Sequence, residues 1–440
     1  MASPENNRHD KRDWLRYEGN DLQIEGTSLR DIAANVPTPF YCYSTQGIRT
    51  AYETLSAALK PAGVTICFAV KANSNITILR LLSDLGCGMD VVSGGELERV
   101  LAAGVPASRV IFSGVGKTRN EILRAIEAGI HQINVESAAE IDVIIEVARF
   151  LRKRAAIALR VNPDVDAKTH AKITTATKDS KFGIPIDDVP DVYSKALTTP
   201  ELDVKGLAIH IGSQVHDLSP FRNAFSVMAD LVVFLRSKGM SVPRLDLGGG
   251  IGIAVGDAPG PDITEYAEIV AETVGSLGCE LTVEPGRFLV GRSGFLVTEL
   301  LYLKGGTEGY TGIVDAGMND LIRPALYEAR HPVLPLHQPR QTGTSRRYRL
   351  VGPICESSDE FGAYDELGDL HQGDLLAFDC AGAYGATMAS TYNSRDLIAE
   401  ILIDGNRFRT IRQRQDIDAM LKLEEAGAWH SGLPIQKAAS

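Results

Sequence analysis

An apolar run that ends in a lysine is the first feature with chemical potential. Residues Thr65-Ile66-Cys67-Phe68-Ala69-Val70 read as the body of a buried parallel strand, and Lys71-Ala72-Asn73 closes it where the chain turns toward a helix. An ammonium in the partly dry mouth of a barrel loses hydration, which lowers its pKa and frees an amine able to attack a carbonyl. A lysine that merely snorkels from a strand end to solvent would look the same on this segment alone.

Other apolar segments also end in polar residues. They end in Asp90 and Ser93, in His210-Ile211-Gly212-Ser213-Gln214, in Gly248-Gly249-Gly250 and in Glu284-Pro285-Gly286-Arg287. The glycine run lets backbone N–H groups converge, which suits a phosphate, although a tight turn from strand to helix would need the same residues. His210 reads either as a ring that stacks on a ligand or as a satisfied core histidine. Glu284 is either a solvated charge or a carboxylate facing a pyridine nitrogen, where it keeps the ring protonated and makes pyridoxal phosphate (PLP) an electron sink. Farther on, Cys355-Glu356 sits in a Gly/Pro/Ser-rich turn, where a thiol beside a carboxylate either packs as a small hydrophobe or donates a proton. Arg323 and Tyr327 are four apart and would share a helical face, with the arginine free to grip a carboxylate or to form a surface ion pair.

The elements that must hold these residues alternate with a steady rhythm. Strand candidates at 65–72, 89–92, 110–113, 132–135, 156–161, 206–211, 245–247 and 281–283 are separated by amphipathic helices at 76–85, 96–103, 121–128, 138–151, 221–238 and 264–277. Ser137-Ala138-Ala139-Glu140 has the pattern of a capping box. Eight βα steps over roughly 240 residues match a closed (β/α)8 TIM-type barrel, whose reactive groups gather at the carboxyl ends of the strands. An open doubly wound sheet is the alternative, but no G-x-G-x-x-G follows the first strand. After residue 290 the pattern turns to short β runs at 295–303, 312–315, 348–351 and 375–378, with a hairpin at 397–411 turning on Asp404-Gly405-Asn406. The expected division is a disordered tail at 1–15, a segment at 16–40 that packs with the β domain, a barrel at 41–290 and a mostly β domain at 291–440. The β domain is expected to take in the early strand at 22–24, and the long loops 162–183 and 328–347 read as functional or mobile.

Composition narrows the partners. With 45 basic and 56 acidic residues the net charge is -11, which gives no reason to expect nucleic acid or an anionic membrane as partner. The polar start and the lack of a long apolar run lead us to expect a cytoplasmic protein. The six cysteines show no C-x-x-C pair, so neither disulfides nor a metal site is expected.

From Arg16 to about Ile411 the chain resembles the diaminopimelate decarboxylases, a family within the PLP-dependent group that also holds ornithine and arginine decarboxylases and alanine racemase. Phe68-Ala69-Val70-Lys71-Ala72-Asn73 is similar to the family's cofactor-lysine motif, usually written with Tyr where Phe68 stands. The resemblance implies that Lys71 carries PLP, that His210 stacks on its ring, and that Ser213 with Gly248, Gly249 and Gly250 holds its phosphate. It further implies that Glu284 faces the ring nitrogen, with Asp90, Pro285, Gly286, Arg287 and Tyr384 also at the cofactor. Substrate contacts would come from Arg287, Arg323, Tyr327, Glu356 and Tyr384, and the catalytic set would be Lys71, His210 and Cys355. Cys355, as proton donor, and Glu356 would reach in from the partner subunit of a homodimer. The implied reaction is decarboxylation of meso-diaminopimelate to L-lysine.

Three rivals follow from the same residues. Arg323 and Tyr327, as carboxylate readers, argue against a decarboxylase for another basic amino acid such as ornithine, arginine or carboxynorspermidine, and a racemase wants a second base, commonly tyrosine, where Cys355 is implied. A PLP carrier without turnover would have no need of the β domain with Cys355 and Tyr384. The chain departs from the family pattern at Ile253-Ala254-Val255, where Ile-Pro-Tyr is common, and at Ala176, where glycine is usual.

Overall fold

The computed structural model describes residues 12–164, 180–306, 309–338, 346–424 and 427. Among these, eight parallel strands close into a barrel: Thr65–Ala69, Gly88–Val91, Val110–Phe112, Gln132–Val135, Ala155–Asn162, Leu202–Ala208, Arg244–Asp246 and Glu280–Val283. The last pairs with the first, in the register Thr282 to Thr65 and Val283 to Ile66. Closure leaves no barrel edge to cover, apart from the two-residue strand Ile184–Pro185 beside Asn162. Helices run between the strands, and one of them, Val189–Leu197, lies in a stretch that carries no helix in the sequence reading.

Local chemistry sets the helix starts. Ser44 Oγ accepts from Gly47 N at 2.8 Å and opens Thr45–Leu59, while Thr118 and Glu121 cap Arg119–Ala128 reciprocally. The expected box at Ser137 is only half formed. Ser137 Oγ accepts from Glu140 N, but the Glu140 carboxylate instead takes Glu136 N and the nearly buried Lys117 ammonium, each at 2.8 Å.

The β domain is a second sheet built on the long strand Gly294–Gly306. Its first half pairs with Phe40–Ser44 and Leu375–Phe378, and its second half with Gly309–Val314. Phe40–Ser44 also pairs in parallel with Ala399–Asp404, which turns at Gly405 into Arg407–Arg412 as the D-G signal suggests. So residues 41–44, assigned to the barrel by the expected boundary, lie inside the β-domain sheet. This strand has all five side chains buried because it is flanked on both edges and covered on both faces. Tyr43 Oη donates to Glu400 Oε2 at 2.5 Å, and Tyr41 Oη donates to the Asp320 carbonyl at 2.7 Å.

The earlier strand Asp21–Ile24 does not enter that sheet. It forms a separate antiparallel sheet with Leu15–Glu18 and Thr27–Ser28, tied to the β domain by Leu22 N to Leu336 O at 2.8 Å. Trp14, Leu22, Ile24, Phe40, Phe295, Leu336 and Ile401 make one apolar cluster there, distinct from the larger cluster that fills the barrel. Order also begins earlier than a tail at 1–15 allows. Arg12 is buried, and its guanidinium makes a two-pronged pair with Asp379 at 2.8 and 2.5 Å, over the rings of Trp14 and Phe295. Residues 1–11, most of the loop 162–183 with Ala176, and 339–345 lie outside the described residues. The other expected loop, 328–347, contains the strand Val333–Pro335, which pairs with Leu375–Phe378. No described helix is long and apolar enough to cross a membrane.

Candidate active site

The strand before Lys71 ends at Ala69, and Lys71 stands on a single helical turn, Val70–Ala72. Three contacts fix this turn. Ala69 N donates to Pro285 O at 3.1 Å, Tyr384 N to Ala72 O at 2.8 Å, and Thr387 Oγ1 to Lys71 O at 3.2 Å. The β domain therefore holds the lysine turn from above. Gly286 keeps the approach close, since a methyl group would stand 3.0 Å from Ala72 Cβ and 3.3 Å from Tyr384 Oη and these neighbours would have to give slightly.

A cavity of about 740 Å3 opens at this end of the barrel. Lys71, His210, Ser213, Arg287, Arg323, Tyr327 and Tyr384 all line it, so the structure gathers residues spread over most of the chain. Val255, where the sequence departs from the family pattern, lines it too, beside Ile253. Arg323 and Tyr327 open and close the short helix Arg323–Tyr327, as their spacing suggests.

The lysine does not behave as expected from burial alone. Burial pulls its ammonium down, but Asp90, Tyr384 and Glu284 outweigh that pull and the net shift is upward. The cause is register: Asp90 pairs with Ala69 on the neighbouring strand, and its fully buried carboxylate lies 3.2 Å from Lys71 Nζ. His210 Nδ1 accepts from Gly249 N at 3.1 Å, which leaves the imidazole proton on Nε2. Burial first, then the charges of Lys71 and Arg160, keep this ring neutral.

Beneath the lysine lie two carboxyl groups. Glu284 and Asp246 are buried, and Asn134 Nδ2 donates to both, at 3.4 Å and 3.0 Å. Gly248 N also donates to Asp246 Oδ1 at 3.0 Å. Burial and the nearness of Asp246 and Asp90 push Glu284 well above the usual carboxyl range, and burial raises Asp246 as well. Sequence reasoning missed Asp246 and Asn134, since a carboxylate before a glycine turn carries no local mark of a partner three strands away.

Gly248, Gly249 and Gly250 do not line the cavity. A side chain at each would strike the backbone carbonyls of Ile209, Glu284 and Gly212 respectively, so packing between strand ends alone demands glycine. Cys355 and Glu356 also lie outside the cavity, both exposed, on the turn at 352–359. Asp359 shapes that turn and was another residue missed. It is buried, and its carboxylate accepts from Met318 N at 2.6 Å and Ile354 N at 2.7 Å.

Arg287 and Arg323 face each other's charge with no carboxylate in ion-pair distance among the described residues, and the Nε atom of each lacks a partner. Burial, then the neighbouring Arg287, bring Arg323 down to about 9, and burial lowers Arg287 as well. Two desolvated guanidiniums side by side are costly unless an anion joins them. The cavity is thus built for an anionic ligand.

Comparison with known proteins agrees with this chemistry. The family model "Pyridoxal-dependent decarboxylase, pyridoxal binding domain" matches residues 45–291. Diaminopimelate decarboxylase of Pseudomonas fluorescens is 46% identical over 406 residues, covering 92% of this chain and 97% of that protein. The chain belongs to the diaminopimelate decarboxylase family. Solved diaminopimelate decarboxylases superpose closely. The Helicobacter pylori enzyme complexed with L-lysine has a TM-score of 0.86 at 38% identity, covering 90% of this chain and 99% of that one. The M. jannaschii enzyme in co-complex with L-lysine has a TM-score of 0.89 at 34% identity, with 94% and 98% covered.

The cofactor of this diaminopimelate decarboxylase family member is pyridoxal phosphate. The residues present fit it: an amine a third exposed to the cavity, a fixed neutral imidazole at its wall, and a buried carboxyl, Glu284, whose charge is felt at the amine and whose proton affinity is raised.

Proposed function

We propose that the chain decarboxylates meso-2,6-diaminopimelate to L-lysine and CO2 with pyridoxal phosphate as cofactor. The observation that carries the substrate is the pair of buried Arg287 and half-buried Arg323 at the cavity, without a carboxylate partner among the described residues. A substrate with a second amino-acid centre supplies the missing anion, whereas ornithine has nothing to place there and would leave both charges unmatched. That argues against the other basic amino acids.

Bound pyridoxal phosphate supplies the electron sink into which the bond to the departing carboxylate breaks. Lys71 would hold it through Nζ, which Asp90 orients from the next strand. Ser213, which lines the cavity, would take its phosphate, whereas the N–H groups of Gly248 and Gly249 are already given to Asp246 and His210. Glu284 would pair with the ring nitrogen and hold the proton there, with Asn134 bridging that carboxyl to Asp246. His210 offers a flat uncharged face, held by Gly249 N–H. Arg287, Arg323 and Tyr327 bind the distal carboxylate, and Tyr384 lies with its ring 4.8 Å from the Arg287 guanidinium carbon.

The proton that replaces CO2 needs a donor, and Cys355 is exposed and away from the cavity of its own chain. We infer that the chain acts as a homodimer in which the Cys355 and Glu356 of one copy complete the site of the other. Lys71→Ala tests the central assignment. It is expected to remove the visible cofactor absorbance and CO2 release together, and retained turnover of meso-diaminopimelate would overturn the role of Lys71. A substrate panel tests the other half, since faster CO2 release from ornithine or arginine would overturn the reading of the arginine pair.

A further inference from the structure

The guanidiniums of buried Arg287 and half-buried Arg323 repel each other, so something must keep Arg323 from swinging away from Arg287. His331 is placed to do this. It lines the same cavity and is 1% exposed. Its Nδ1 lies 2.9 Å from the Asp379 carbonyl oxygen, which can only accept, so Nδ1 carries the ring proton. Nε2 is then a free acceptor, and it lies 3.3 Å from Arg323 Nη1.

The ring is anchored through its surroundings as well. Tyr364 Oη donates to the His331 carbonyl at 2.9 Å, and Asp379 N donates to Pro332 O at 2.8 Å. The Asp379 carboxylate is clamped by Arg12. A chain of contacts therefore runs from the first described residue, through Asp379 and His331, to the arginine in the cavity. Burial and then the Arg323 charge drive the imidazole down to about 3, so His331 stays an acceptor throughout the neutral range.

We propose that His331 is a positioning residue for substrate selectivity, which fixes the rotation of the Arg323 fork so that it meets the distal carboxylate of the substrate. This rests on the reading of Arg323 given above. His331 touches neither substrate nor cofactor in this role. It acts by taking one N–H of Arg323 and leaving the others aimed at the cavity.

The test uses the holoenzyme and three variants. His331→Leu removes the acceptor, and His331→Asn keeps a donor to Asp379 without reaching Arg323. His331→Gln restores an acceptor near the Nε2 position. For Leu and Asn, KM for meso-diaminopimelate should rise roughly tenfold with kcat within about threefold, the size of one lost hydrogen bond to a charged group. Calorimetry should show L-lysine, which keeps the distal carboxylate, bound about tenfold more weakly, while cadaverine, which lacks it, is unaffected. His331→Gln should recover most of the loss. The proposal is overturned if Leu and Asn leave KM and L-lysine affinity unchanged, if kcat alone falls, or if cadaverine weakens equally. Arg323→Lys separates the two levels: an unchanged KM there would sink the reading of Arg323 itself, whereas a raised KM with normal His331 variants would sink only the role of His331.

Discussion

The pair between Arg12 and Asp379 gives a prediction whose size follows from its burial. The two side chains are 7% and 4% exposed, so Arg12→Met strands a carboxylate in a site that cannot hydrate it. Breaking a buried pair in this way costs about 3–5 kcal/mol, far beyond the ~1 kcal/mol ceiling of a surface pair. With an unfolding entropy of about 2.1 cal/mol/K per residue over the 440 residues, one cooperative transition would shift by about 3–5 °C. Asp379→Asn removes the stranded charge while keeping an oxygen for Cys380 N. The double variant should therefore recover much of the loss, and thermal unfolding of the four proteins in a double-mutant cycle measures the coupling. A coupling within about 0.5 kcal/mol of zero would refute the argument, because that is the value of an exposed, solvated pair.

The remaining predictions concern the site and its surroundings. Mixing equal amounts of Lys71→Ala and Cys355→Ala chains, each inactive alone, should restore about a quarter of wild-type turnover if sites are shared across a two-fold axis; no recovery after subunit exchange would rule sharing out. Gly249→Ala drives a methyl group into the Glu284 carbonyl and toward His210 Cε1 at 3.6 Å, so stability should drop by about 1–3 kcal/mol and kcat by about a hundredfold, measured by unfolding and CO2 release. Normal kcat there would show that the strand ends yield without moving the site. Glu96 is raised from 4.5 to about 7 by burial, which exceeds the lowering by Val92 N–H. The folded chain thus binds more protons than the unfolded one in that window, and stability contributed by this group is present below pH 4.5 and lost as pH rises through 7. Glu96→Gln should flatten this fall in Tm, and an unchanged slope would mean that Glu96 is solvated.

Much of the site was legible because barrel physics concentrates it. Once eight strands are placed by their apolar bodies, the polar residues at their ends must share one mouth, and Lys71, His210, Ser213 and Arg287 do so. What stayed hidden depends on partners remote in sequence. Arg12 sits in a charged stretch that reads as a tail, and only the buried Asp379 makes it a core residue. His331 falls in a stretch without helical or strand period, and its neighbour Arg323 becomes its partner only when the chain loops back. The stretch Phe40–Ser44 is apolar and rich in aromatic residues, yet nothing in five buried residues says which sheet receives them. The lysine pKa was misjudged for the same reason, since the charge that governs it belongs to the next strand.

The placing of Phe40–Ser44 between Gly294–Gly306 and Ala399–Asp404 has a consequence for biosynthesis. A ribosome adding ~5–20 residues per second releases this strand roughly ten seconds or more before either flanking strand exists. The whole barrel emerges in that interval, leaving a sticky apolar ribbon waiting at its edge. Successful production of the chain should then depend on whatever shields that ribbon, chaperone or crowding neighbour, more than on how fast the barrel itself closes.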